Sequence, residues 1–131
     1  MILHYKEKWL TPDELYAEVE EMLLSFGLTP DMKCGRQLAQ AIVLWKMEEK
    51  ETGLLPLLSK TIYPEIGKHW GATWQSVERN CRFAIEKIES TDVSRARARI
   101  VLKCPISEKL LTNSQFIALA AAAIPSKKLL F

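Results

Sequence analysis

Apolar residues recur along this chain with the period of helices. In "LTPDELYAEVEEMLLSFGL", Leu15, Val19, Met22, Leu23 and Phe26 fall at helical intervals while the glutamates take the other side. Thr11 is placed to cap this helix, Pro12 suits its first position, and Glu14 completes a Thr-x-x-Glu capping box. Leu10 and Leu15 stand at the spacing of a hydrophobic staple, and Gly27 marks the stop. "TPD" recurs at residues 29–31 and predicts a second, longer helix to about Glu49, with Met32, Leu38, Ala39, Ile42 and Trp45 on its buried side. After Gly53 and Pro56, "LLPLLSKTIY" predicts a short helix ending against Pro64. Near the other end, Thr112 and Gln115 form a second capping box, with Leu111 and Phe116 as its staple. An Ala-rich helix over residues 113–124 follows and is closed by Pro125.

"RARARI" at 95–100 alternates like a strand, but it has no partner hairpin and is expected to form a short helix. No convincing run of strands occurs. The pattern predicts one all-α domain of about six helices over residues 1–131, with an N-terminal arm at 1–10 and a loose tail at 125–131.

The stretch "TIYPEIGKHWGATWQSVERNCRFAIEK" carries the chemistry. Pro64 opens a helix to about Trp70, Gly71 turns the chain, and Thr73 caps a second helix to about Ile88, which is the plan of a helix-turn-helix. Ile66 and Trp70 are expected in the junction, Gly67 where the helices approach, and Val77, Cys81, Ala84 and Ile85 on the inner face. Outside remain Gln75, Glu78, Arg79 and Arg82, at i, i+3, i+4 and i+7. These side chains suit base edges: Arg to guanine, Gln to adenine, Glu accepting from cytosine. Lys60, Lys68, Thr73, Ser76 and Lys87 are candidate phosphate contacts, as are the arginines at 95, 97 and 99. The plain alternative is a solvated helix face, on which Glu78 and Arg82 form an ordinary i,i+4 pair. Trp74 is either a core anchor or an exposed ring stacking on backbone sugars.

Charge sharpens this picture. Residues 1–59 carry six Lys/Arg against ten Asp/Glu, whereas residues 60–109 carry ten against six, so the basic half coincides with the helix pair. Cys34, Cys81 and Cys104 are far apart, with neither Cys-x-x-Cys spacing nor a histidine at ligand distance, and are expected as small, half-buried thiols. No nucleophile–base pair, metal cluster or phosphate-cradling Gly loop is visible, so neither an enzyme nor a cofactor is expected. The opening "MILHYKEKWL" has no signal core and "FIALAAAAI" is too short to span a bilayer, which gives the expectation of a cytoplasmic protein without a membrane partner.

Three segments in order resemble one known family. Tyr63 to Ile66 is similar to its Tyr-Pro-(Asp/Glu)-Ile segment, Val77 to Glu86 to its Val-Glu-Arg-x-x-Arg-x-Ala-Ile-Glu recognition helix, and Thr112 to Ala118 to its Thr-Asn-Ser-x-Phe-Ile-Ala. The family is the C-terminal DNA-binding domain of the master response regulator of endospore formation. The resemblance implies a six-helix domain that reads a short element of double-stranded DNA, commonly as a tandem pair, and that meets the sigma subunit of RNA polymerase. Glu78, Arg79 and Arg82 match the family's recognition-helix residues. Gln75 and Ser76 depart from its Ser-Arg, and "IESTDVSRARARI" stands where the family carries a Trp-x-Arg-Gly signature. The family's receiver domain has no counterpart in these 131 residues, so switching by phosphorylation of an own receiver is not expected. The resulting expectation is a sequence-specific transcriptional regulator. Its rival is a protein-interaction module or antagonist that binds the sigma subunit or the full-length regulator with weak or no DNA binding.

Overall fold

The computed structural model describes residues 6–29 and 31–130 and is built from six α-helices and one two-stranded ribbon. In chain order these are β1 (Lys6–Trp9), α1 (Pro12–Ser25), α2 (Lys33–Thr52), α3 (Tyr63–Trp70), α4 (Trp74–Ile88), α5 (Asp92–Val101), α6 (Asn113–Ala123) and β2 (Lys127–Leu130). The all-α class and the number of helices agree with the hydrophobic pattern.

Helix α2 runs through the middle and packs on α1, α4 and α6. Its burial extends round much of its surface, from Cys34, Gly35 and Gln37 through Leu38, Ala39, Ala41, Ile42 and Val43 to Trp45. That is the signature of a central helix, rather than one with a single apolar stripe. Both capping boxes form. Thr11 Oγ1 accepts from Glu14 N at 3.2 Å while Glu14 Oε1 accepts from Thr11 N at 3.1 Å, and Thr112 and Gln115 repeat the exchange at 3.1 and 3.0 Å. Gly27 follows α1 at φ +93°, where a side chain would be strained. Phe26 and Phe116 meet edge to face, 6.5 Å between centroids, and so tie the end of α1 to the start of α6.

Three expectations about element ends are corrected. Helix α2 begins at Lys33, not at the "TPD" motif: Thr29 O accepts from Met32 N in a turn, and Met32 occupies the cap position with no side-chain cap. Leu28 is buried and its N–H returns to Leu23 O, so residues after it are spent on bringing the chain round. Pro30, expected in a first turn, lies outside the described residues. Pro64 does not stop the preceding segment either. A π-helical turn over Leu58–Ile62, closed by Ile62 N to Leu57 O at 3.2 Å, leads directly into α3. Its wider bore gives the proline ring room against the preceding turn, and in the first turn of α3 Pro64 has no N–H to satisfy.

The third correction concerns the chain ends. The segment expected as a loose tail pairs antiparallel with the N-terminal arm, Glu7 opposite Leu129 and Trp9 opposite Lys127, and Leu10 N adds a bond to Ser126 O at 2.8 Å. Trp9 lies between the ammonium groups of Lys50 and Lys127, 4.0 and 4.4 Å from the ring centroid. Glu14 joins the ribbon to α1 by bonding Lys128 and by pairing with Lys8 at 3.4 Å. Strands this short, with partners more than a hundred residues apart, leave no local signature. Residues 1–5 of the arm and residue 131 lie outside the described residues.

Glu14 also makes the ribbon sensitive to acid. Its bond to Lys128, and then the Thr11 N–H, lower its carboxyl from the ordinary 4.5 to about 2. A depressed folded pKa adds stability above the ordinary value, which is lost as the pH falls towards the folded one. Urea unfolding in pH steps should show the wild-type advantage over Glu14→Gln present at pH 6, shrinking from about 4.5 downwards and gone near pH 2.

Candidate nucleic-acid interface

Helices α3 and α4 are joined through Gly71, which sits at φ +65° and returns its N–H to Gly67 O. Thr73 then caps α4, its hydroxyl accepting from Ser76 N at 3.2 Å. The turn is tight because Gly67 allows it. A Cβ built at Gly67 would lie 2.5 Å from the Ala72 carbonyl oxygen, a backbone atom that cannot swing aside. Ile62, Tyr63 and Ile66 are buried on one side of the junction. Val77, Cys81, Ala84, Ile85 and Ile88 are buried along the inner face of α4. The sequence pattern placed this helix-turn-helix and both its ends.

The outer face of α4 is wet. Gln75, Arg79 and Arg82 are exposed and Glu78 is half-buried. Among the described residues, none of these four side chains takes part in an intramolecular hydrogen bond or ion pair, and the Glu78–Arg82 bridge that would serve a merely solvated face does not form. Lys60, Lys68 and Lys87 are exposed around the same helix pair. Thr73 is exposed as the cap, and Ser76 is half-buried one turn later. Trp74 is 36% exposed and so is not buried as a core anchor.

Of the three candidate phosphate contacts in "RARARI", Arg99 is withdrawn into the interior, while Arg95 and Arg97 are engaged within the chain. All three lie on a helix, where a spacing of two residues turns successive side chains by about 200° instead of aligning them. Arg95 bonds Asp92 and Arg97 reaches Ser25 O at 3.1 Å. Arg99 is only 3% exposed and grips Glu89 with both ends of its fork, at 3.0 and 2.8 Å. It also donates to the carbonyls of Pro105 and Lys109 at 2.8 and 2.7 Å, which pins the loop between α5 and α6. The hydrogen bond to Glu89 raises the Arg99 pKa further, which keeps the guanidinium charged inside the fold.

Sequence reasoning missed the polar residues that hold α4 in place. Asn113, at the start of α6, donates to Tyr63 Oη at 3.1 Å and to Glu78 O at 3.0 Å. Asn80 donates to the buried Gln37 Oε1 at 2.8 Å, and Trp70 Nε1 donates to Gln40 Oε1 at 2.7 Å, so α2 grips both helices of the pair. Gln37 is fully buried, and while its Oε1 takes the Asn80 bond its Nε2 finds no partner among the described residues. Phe83 was missed too: it stands 54% exposed on the outer face of α4, with the Lys87 ammonium 5.6 Å from its ring centroid. Cys81 is buried, and burial pushes its thiol well above the ordinary range, which leaves it an inert filler. No group of three His, Cys, Asp or Glu among the described residues could hold a metal ion, and no helix among them is long and apolar enough to cross a membrane.

Residues 19–124 match the family model described as Sporulation initiation factor Spo0A C terminal. The chain belongs to this family. Spo0A C-terminal domains are DNA-binding effector domains, so DNA is the general partner of this fold, and enzymatic chemistry is not its business. The three motifs that carried the resemblance now have a shared physical basis. Tyr63, Glu78 and Asn113 come one from each, and they meet at a single buried amide. The ribbon, in contrast, lies wholly outside the Spo0A C-terminal match.

Gly67→Ala should lower unfolding stability by about 1–3 kcal/mol, the usual cost of overpacking, as read by urea denaturation. Arg99→Met, which strands the Glu89 carboxylate, should cost about 3–5 kcal/mol in the same measurement, against less than about 1 kcal/mol for Arg97→Ala.

Proposed function

We propose that this chain is a sequence-specific transcriptional regulator that lays α4 in the major groove of DNA. Gln75, Glu78, Arg79 and Arg82 then face base edges, and Lys60, Lys68, Thr73, Ser76 and Lys87 face the phosphates on either side. The observation that carries this reading is the division of α4. Its inner face is closed by apolar packing, while the polar tips of its outer face have no hydrogen-bond or ion-pair partner among the described residues. A Gln, an Arg pair and a Glu held free on a rigid, capped helix are donors and acceptors waiting for an external pattern, and base pairs supply one in the major groove. Binding to tandem sites as a pair of copies fits the family to which the chain belongs.

A second reading keeps the fold and changes the partner, with the sigma subunit or the full-length regulator bound in place of DNA. It draws on α5, where Val93 and Ile100 stand 69% and 68% exposed as an uncovered apolar stripe. Retention of a sigma subunit by a chain whose DNA binding vanishes at moderate salt would favour it.

The test is selection from randomised duplexes, followed by titration of the enriched element. Arg79→Ala should lose about 1–3 kcal/mol of discrimination at one base pair. Lys68→Ala should weaken all sequences alike and reduce the slope of log K against log salt by about one unit. Equal affinity of the wild type for the enriched and scrambled duplexes would overturn the proposal.

A further inference from the structure

We infer that Phe83 is a further specificity-determining residue, one that senses the 5-methyl group of a thymine in the major groove. The inference rests on the DNA-reading role proposed for α4. Gln75, Arg79 and Phe83 succeed one another at i, i+4 and i+8, so the ring continues the ridge of outward side chains. It is 54% exposed on a helix whose inner face is packed, and among the described residues it pairs with no other aromatic ring. Leaving half of a phenyl ring in water forfeits burial energy that a polar residue at the same place would not need.

Its surroundings decide what covers it. Arg79 lies one turn before, Arg82 is adjacent in sequence, and one turn after stand Glu86 and Lys87, the Lys87 ammonium 5.6 Å from the ring centroid. Three cations against the one carboxylate of Glu86 leave this end of the helix face positive, which suits an anionic partner with a small apolar feature rather than a basic protein surface. Duplex DNA fits both requirements, since the phosphates answer the cations and the thymine methyl is the apolar group that the major groove displays. Lys87 and Phe83 then act together, the ring turned to the base and the ammonium to the phosphate beside it.

The experiment uses the full chain and its enriched duplex, with each thymine replaced in turn by deoxyuridine, which removes only the methyl group. At one position the replacement should weaken the wild type roughly fourfold, the worth of one buried methyl. Phe83→Ala should bind the thymine duplex as weakly as the wild type binds the uracil one and be indifferent to the replacement. Phe83→Leu should retain part of the effect, and circular dichroism should show both variants folded. The inference is overturned if no replacement separates wild type from Phe83→Ala. It is overturned equally if the variant weakens all sequences alike, a backbone contact, or weakens tandem sites only, a contact between copies. Failure to enrich any duplex would instead bring down the groove-reading role of α4, and the selection step tells the two failures apart.

Discussion

One side-chain amide at the start of α6 holds the parts of this domain in register. Asn113 uses its two N–H groups on different elements, the Tyr63 hydroxyl where α3 begins and the Glu78 carbonyl within α4. Each acceptor sits at the edge of the core, where an unmade hydrogen bond costs about 1–3 kcal/mol, so the three elements are fixed to one another by more than apolar contact. Apolar packing sets that helices associate, but it tolerates sliding, whereas a bonded amide selects one rotation and one depth. The same device recurs where α2 meets the helix pair, through Asn80 to Gln37 and Trp70 to Gln40. Helix α4 is thereby bonded from two directions.

The consequence is a separation of duties along α4. Residues at 77, 81, 84, 85 and 88 supply burial, and the backbone at 78 and the amide at 80 supply orientation. Gln75, Glu78, Arg79 and Arg82 are left with no hydrogen-bond or ion-pair partner among the described residues. Charges that the fold does need lie elsewhere. Arg99 and Glu89 form a buried ionic knot that anchors the loop leading to Asn113 and so steadies the amide indirectly. Arg99 could not serve a phosphate without abandoning that knot and leaving Glu89 unpaired in the interior.

What the sequence made readable was whatever is decided locally. Thr11 with Glu14 and Thr112 with Gln115 are three residues apart, so their capping boxes could be recognised from spacing alone. Gly67 and Gly71 were equally clear, because a close approach and a left-handed turn leave few other choices. The errors have a common physical root in contacts between distant residues. Thr29 resembled a cap until the need to bury Leu28 drew the backbone away. Arg99 counted as a candidate phosphate contact only while its buried pairing with Glu89, ten residues away, was out of view. The strands at the chain ends were invisible, since Trp9 and Lys127 gain their pairing from a closure that no local window contains.

That closure has a physical meaning of its own. The core match to the Spo0A C-terminal family ends at residue 124, and the ribbon begins just beyond it. Joining the two ends of a helical domain shortens the paths by which α1 and α6 could fray, because each is now tethered at its outer end to the other. The tether is made from groups that are cheap to recruit at a surface: a tryptophan between two ammonium groups and a carboxylate shared by two lysines. Individually such exposed contacts contribute little. They gain from acting across a backbone ladder, because the register brings Trp9 opposite Lys127 and Lys8 opposite Lys128, beside Glu14. The ribbon therefore stabilises α6 from its C-terminal side while the capping box and Asn113 secure its N-terminal side, and the amide that orients α4 sits on a helix held at both ends.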